Sequence, residues 1–334
     1  MKIVIIGAGA IGGLAAGYLK IKGEDVSLVG HADAVEAIKN EGLRIQGLRG
    51  NFSIGIDASH QINSQAQLII LATKTQDIEA ALRENKNFLQ DTAVLTTQNG
   101  VRADNIVAKH VPKENIISSI VMFGATSLEP GKIVHNFEGH WIISGLLKGN
   151  DAKVAQISQV LEKIFPVIIA EDLKGMKYLK IFVNANNCLP AILGESMQEV
   201  FSDLEVSRIS IAIWKEGLQI INKAGINLTS LPDFPLERIT KLTSLPTVQA
   251  ASILAGIMTN LSKEPVYGSI LQSIKRGRPS EIDYINGEFV NLAEEQNLDA
   301  PLNKKLVQMV HQVERSKRFF TKEELISNTR GLLN

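Results

Sequence analysis

Through the first half of the chain, short apolar runs alternate with helical patterns. KIVIIG at residues 2–7, DVSLVG at 25–30, LIILAT at 68–73, AVLTTQNG at 93–100 and NIISSIVMFG at 115–124 are rich in β-branched residues and read as strands. Between them, a helix is expected from Ala10 to Lys22, and further helical patterns lie in ADAVEAIKNEG and DIEAALREN. Strands alternating with helices predict βαβ units around a parallel sheet, with ligands at the carboxyl ends of the strands. The spacing of GKIVHNFEGHWIISG, residues 131–145, predicts a hairpin that closes this domain. From Glu171 onward the patterns are long and helical, so a second, nearly all-α domain is expected. The division is placed at residues 1–168 and 169–334.

GAGAIG, residues Gly7, Ala8, Gly9, Ala10, Ile11 and Gly12, follows an apolar strand directly and opens a helix directly. In that setting the first glycine allows a tight turn and the second lets backbone approach a pyrophosphate. The third lets helix and strand pack closely, and the helix N-terminus offers amide donors. The pattern predicts dinucleotide binding. At the end of the second strand the chain reads VSLVGHAD, with Gly30 and His31 at the tip and Asp33 two residues later. An acid at the tip would bind a ribose 2′-hydroxyl; its absence favours NADP(H), with His31 at the adenosine ribose. Lys74 and Gln76 in LATKTQ, and Asn99 with Gly100 in TTQNGV, follow later strands and are expected to contact cofactor or substrate.

KYLKIFVNANNC, residues 177–188, reads as a helix with Lys180, Asn184 and Asn187 on one side. Asparagine costs about 0.5 kcal/mol relative to alanine in a helix interior, and a solvated face is the ordinary meaning of such a stripe. The stripe alone does not choose between solvent and a site.

Composition narrows the classes. A chain of 334 residues exceeds the usual size of one core, which favours two domains. With 35 basic and 35 acidic residues, the net charge of +0 argues against a nucleic-acid or membrane surface as the main partner. The sole cysteine, Cys188, excludes an internal disulfide and suits a reducing cytoplasm. No apolar run is long enough for a membrane span or a secretion signal, so a cytoplasmic protein is expected. A homodimer stays open.

In their order, GAGAIGG, LATKTQ, TTQNGV, EPGKIVH, KYLKIFVNA, GSILQSIKRGRPSEIDYINGEFV and APLNKKL resemble the ketopantoate reductases (2-dehydropantoate 2-reductases) over almost the whole chain. The stretch GRPSEIDYING is the most specific. The resemblance implies an α/β N-terminal Rossmann domain joined to an all-α C-terminal domain of the 6-phosphogluconate dehydrogenase-like type, with the active site in the cleft between them. It implies NADPH-dependent reduction of 2-dehydropantoate to pantoate, a step toward pantothenate and coenzyme A. Carried over by residue, the catalytic lysine falls on Lys180 and the substrate-side carboxylate on Glu281. Asn99, Asn184 and Ser269 take the substrate-binding positions. The chemistry agrees: hydride delivered to a ketone leaves an alkoxide, which a neighbouring ammonium can stabilise and protonate.

Three positions depart from the family pattern. Cys188 stands where relatives repeat an asparagine, His31 where many have arginine, and Ser273 where many have aspartate. A thiol cannot reproduce an amide's paired donor and acceptor, and its ordinary role is that of a small buried apolar residue. The alternatives are therefore a reductase of another branched 2-oxo acid, and a non-catalytic NADP-binding sensor. His135 and His140 lack a companion ligand cluster, so no metal site is expected. Lys275, Arg276 and Arg278 are expected to form a solvated helix end, and Trp141 and Trp214 to be packing residues.

Overall fold

The computed structural model describes residues 1–333 apart from Leu128, Lys148, Asn150 and Lys263. The chain divides into two compact units, Met1–Leu173 and Lys174–Asn334.

Among the described residues, the first unit contains twelve strands: β1 (Lys2–Ile6), β2 (Asp25–Val29), β3 (Leu43–Gly47), β4 (Phe52–Ile54), β5 (Asp57–Ser59), β6 (Leu68–Leu71), β7 (Ala93–Thr96), β8 (Ile116–Val121), β9 (Gly124–Thr126), β10 (Lys132–Phe137), β11 (Trp141–Gly145) and β12 (Val167–Ile169). Its helices are α1 (Ala10–Ile21), α2 (Ala32–Glu41), α3 (Ile78–Glu84), α4 (Ala103–Val107) and α5 (Asp151–Leu161). Eight strands form one sheet in the order β12-β11-β8-β7-β6-β1-β2-β5. From β5 through β8 every neighbouring pair is parallel, whereas β11 runs antiparallel to β8. Successive side chains of a strand point to opposite faces. Ile3 and Ile5 accordingly join the core containing α1 and α5, while Val4 and Ile6 join the core containing α3 and α4. Burial on both faces explains why these strands read as unbroken apolar runs.

The hairpin expected over residues 131–145 is not formed. β10 lies in a four-stranded sheet of order β4-β3-β10-β9, and β11 lies in the large sheet. The burial of the two segments differs. β10 alternates, with Ile133 and His135 buried, whereas Trp141 to Ser144 of β11 are all buried. One strand has a single face covered, and the other lies inside the large sheet between β12 and β8. Ile133 packs over Gly13 of α1, where an added Cβ would lie 2.8 Å from its Cδ1. His135 bonds the Tyr18 hydroxyl through Nδ1 at 2.9 Å, which makes it a core residue.

The unit boundary falls after Leu173 instead of after residue 168. β12 pairs parallel with β11, and Ala170 N donates to Ile143 O at 2.9 Å, so the connecting segment stays with the sheet.

The second unit is helical: α6 (Lys174–Ala185), α7 (Cys188–Leu193), α8 (Met197–Phe201), α9 (Leu204–Lys223), α10 (Leu236–Ser244), α11 (Thr247–Thr259), α12 (Ser269–Lys275), α13 (Asn286–Glu295), α14 (Pro301–Ser316) and α15 (Lys322–Thr329). The 20-residue α9 is the axis, and α6, α8, α10, α11, α13, α14 and α15 all pack on it. Asp203 caps its N-terminus by accepting from Glu205 N and Val206 N. On α9, Gly217 leaves room for two rings: a Cβ there would lie 2.8 Å from Phe289 and 3.0 Å from Phe182. Trp214 donates Nε1–H to Phe182 O at 2.9 Å, which pins α6 to α9. Both tryptophans are buried. Among the described residues, no helix is long and apolar enough to cross a membrane.

Among the described glycines of the first unit, Gly12 at the start of α1 has the least room, because a Cβ there would lie 2.0 Å from Gly7 O. Gly12→Ala should therefore destabilise this unit by about 2 kcal/mol or more, measured by urea unfolding followed by circular dichroism. An unchanged midpoint would contradict the packing described.

Candidate functional site

In the first unit, the sequence-derived candidates lie along one edge of the sheet. β2, β1, β6 and β7 are adjacent and parallel, so their carboxyl ends share that edge. Gly7 follows β1, His31 follows β2, Lys74 and Gln76 follow β6, and Asn99 follows β7. Gly7 adopts φ +117°, and a Cβ there would lie 2.5 Å from the Ala72 carbonyl. Only glycine meets both demands. Gly9 caps α1, and a Cβ built on it meets no heavy atom within 4 Å. Ala8, Ala10 and Ile11 around it are half-buried.

That open space adjoins the first turn of α1, whose amides have no acceptor within the helix. The arrangement fits a dinucleotide pyrophosphate: room for its oxygens at Gly9, donors from Ala10 to Gly12, and a favourable helix dipole. At the tip of β2, Gly30 packs beside this turn, since a Cβ there would lie 2.8 Å from Ala8 Cβ. His31 is exposed and caps α2, and Asp33 lies in that helix's first turn.

Gln98 escapes sequence reasoning. It is buried, and its Nε2 donates to Leu71 O at 2.8 Å and Thr73 O at 2.9 Å. Thr97 Oγ1 adds a bond to Leu71 O at 3.0 Å. Gln98 therefore fastens the loop bearing Lys74 and Gln76 to the loop bearing Asn99. The polar run TTQN contains the signal, but nothing local says which of its amides turns inward.

In the second unit, α6 presents Lys177, Lys180 and Asn184 on one face at steps of three and four. The helix ends at Ala185 and a turn follows, so Asn187 caps α7 instead of continuing the stripe. Asn187 N donates to Asn184 O at 2.9 Å, which keeps the two amides on adjoining turns. Consecutive asparagines, poor helix formers that compete for local backbone bonds, supply the break.

Lys180 and Asn184 are half-buried. Although part of the Lys180 surface is open, the protein around it desolvates the ammonium and pulls its pKa down to about 8. Glu281 opposes that fall by its charge, and Lys177 adds to it. Glu281 is half-buried and precedes the short 3₁₀ turn Ile282–Tyr284.

Lys177 also goes unnoticed in the sequence. It is 6% exposed, and the three-residue spacing to Lys180 was its only signal. The other candidates divide. Ser269 is exposed at the start of α12. The preceding Gly268 rests on Asn187, where a Cβ would lie 3.0 Å from Cγ. Ser273 is buried, and its hydroxyl donates to Ser269 O at 3.0 Å. Cys188 is fully buried; burial pushes its thiol up, against a weaker opposing bond from Asn286. It acts as a small core residue. Of the supposed solvated cations, Lys275 lies 4.0 Å above the Tyr267 ring and Arg278 is exposed, but Arg276 is half-buried.

Residues 3–148 match the model described as ketopantoate reductase PanE/ApbA, and residues 172–314 match its C-terminal counterpart. The chain belongs to the ketopantoate reductase family. It is similar to the 2-dehydropantoate 2-reductase of Pyrococcus horikoshii, at 33% identity over 91% of this chain and 94% of that one. The enzyme of the same description from Archaeoglobus fulgidus is 25% identical over 94% of this chain and 98% of that one. Among solved structures, a D-mandelate dehydrogenase with NADH and anilino(oxo)acetate superposes with TM-score 0.82 and 26% identity, covering 95% of this chain and 99% of that one. A PanE/ApbA family ketopantoate reductase from Ralstonia eutropha JMP134 shares the fold at TM-score 0.78 and 22% identity, covering 95% of this chain and 99% of that one. The family is one of oxidoreductases, and the first unit has its Rossmann-type NAD(P)-binding fold.

Like charge from Lys177 makes Lys180 easier to deprotonate. Lys177→Met should therefore raise the pH of half-maximal Lys180 acylation by acetic anhydride by about one pH unit, read by peptide mass spectrometry. A midpoint that stays at the wild-type value would contradict the effect of Lys177.

Proposed function

We propose that the protein reduces 2-dehydropantoate to pantoate with NADPH, within pantothenate and coenzyme A biosynthesis. The observation that carries this reading is the desolvated Lys180, held near neutrality opposite Glu281 on a helix face that also bears Asn184. The similarity to 2-dehydropantoate 2-reductases over both units supports the choice of substrate.

When bound, the nicotinamide supplies the hydride. Gly7 to Gly12 hold the pyrophosphate, and Lys74, Gln76 and Asn99 line the same sheet edge, with His31 at the adenosine end. Lys180 donates its proton to the alkoxide oxygen that forms as the carbonyl carbon accepts hydride. Carbonyl, hydride and proton together make the alcohol, leaving Lys180 neutral until solvent reprotonates it. Glu281 favours the charged lysine before the step. Asn184, Asn99 and Ser269 hydrogen-bond the substrate. A donor whose pKa lies near working pH is both charged enough to bind and acidic enough to give its proton away.

A second reading, reduction of another 2-oxo acid with NADH, has its own support. Buried Cys188 provides no amide where relatives repeat one, Asp33 would disfavour a 2′-phosphate, and a relative of the same fold carries NADH with anilino(oxo)acetate.

Initial rates with NADPH and NADH across 2-dehydropantoate, 2-oxoisovalerate and phenylglyoxylate separate the readings. The proposal expects the highest kcat/KM for 2-dehydropantoate with NADPH, and a kcat loss of about 100-fold or more in Lys180→Ala with cofactor affinity retained. Lys223→Ala, at an exposed position ending α9, should match wild type. Cofactor binding without turnover of any of the acids would refute the enzyme reading, and equal small effects of the two lysine variants would remove Lys180 from the chemistry.

A further inference from the structure

The turn that carries Glu281 is tied to α14 on both sides. Before Glu281, Ser280 N donates to Glu314 Oε1 at 2.7 Å. After it, Asp283 Oδ1 lies 2.9 Å from His311 Nε2. The same imidazole closes the circuit, its Nδ1 lying 2.9 Å from Glu314 Oε2. Carboxylates only accept hydrogen bonds, so an imidazole contacting one through each nitrogen satisfies both contacts only as the doubly protonated cation.

We propose that His311 is a positioning residue for Glu281: as the imidazolium it joins Asp283 to Glu314 and fixes the turn that sets the carboxylate opposite Lys180. The inference rests on the assignment of Glu281 to the reaction made above. His311 and Glu314 belong to α14, and Asp283 belongs to the 3₁₀ turn. These two carboxylates are the charges that bear on the ring. Burial pulls the imidazole below its ordinary value, but hydrogen bonds to Asp283 and Glu314 and their charges outweigh burial and hold it above. For a base raised in the folded state, the stabilisation is complete below the ordinary histidine range near about 6.5 and is lost as pH rises through the folded value. Deprotonation leaves one ring nitrogen with a lone pair facing a carboxylate. The clamp therefore holds at acid pH and loosens as the pH rises through that raised value.

On the helices packed against α14, charged groups beyond these two carboxylates include Glu216 and Lys215 of α9 and Glu288 of α13. Glu216 of α9 accepts from Leu302 N and Asn303 N at the start of α14. Lys215 donates to Thr247 Oγ1 at 2.8 Å. On α13, Glu288 is buried one turn beyond the clamp.

Hydrogen exchange of the peptide spanning residues 280–285, corrected for intrinsic rates, tests this without turnover. From about pH 6 to about pH 9, wild-type protection should fall about tenfold, and His311→Ala should show the lower protection throughout. His311→Arg, whose charge does not titrate here, should retain protection across the range. In the active enzyme, His311→Ala should lower kcat about tenfold with cofactor affinity unchanged, and Asp283→Asn should repeat the loss if the alanine variant does not fold. Protection that is independent of pH in wild type, or is retained in His311→Ala, would overturn the clamp. Normal exchange behaviour with unaltered kcat would overturn its link to Glu281. If no 2-oxo acid is reduced, exchange alone decides the clamp, and that failure belongs to the proposed function.

Discussion

Burial strips water from the Lys180 ammonium and pulls its pKa to about 8, and the Glu281 carboxylate limits the fall. The balance is electrostatic and depends on placement: unopposed desolvation shifts buried lysines by several pH units, while water and salt around an exposed carboxylate would screen its attraction. The second unit is built to hold both groups still. α6 is locked to α9 through the Trp214–Phe182 bond and by the Phe182 and Phe289 rings, 4.9 Å apart, that pack at Gly217. Glu281 is held through the backbone of Ser280 and the side chain of Asp283. A buried lysine one helical turn away works against the proton on Lys180, so its acidity is the sum of burial and two neighbouring charges.

The first unit solves a different problem. Its contribution at the sheet edge is space and oriented backbone. φ +117° at Gly7, the near contact of Gly12 with Gly7 O, and the clear volume at Gly9 all arise from one six-residue turn between β1 and α1. Gln98 extends the same economy to the next loops, one amide fastening two of them. In the proposed function, cofactor binding and proton donation thus fall to separate units with separate cores.

What could be read in the sequence was local or specific to the family. GAGAIG between a strand and a helix encodes its own geometry, since each glycine answers a backbone demand of that turn. Lys180 and Glu281 are about a hundred residues apart in a chain of 334, and only the resemblance linked them before the fold did. Other features required tertiary information. The residue 131–145 segment has the spacing of a hairpin, but its two halves differ in whether one or both faces are covered, which decides their sheets. Lys177 looks like any helical lysine until packing buries it. The helix expected to run through Cys188 breaks at two asparagines whose propensity warned of weakness without fixing a position. His311 gave no motif at all, because its meaning comes from two carboxylates, one of them 28 residues away.

The account stands on Lys180 being the proton donor at its shifted pKa. The dependence of kcat/KM on pH for the preferred 2-oxo acid, at saturating cofactor, measures this directly in the free enzyme. A loss of rate above about pH 8, with a tenfold fall for each further pH unit, is the expected result. A profile that stays flat until the ordinary lysine range, near about pH 10.4, would contradict it.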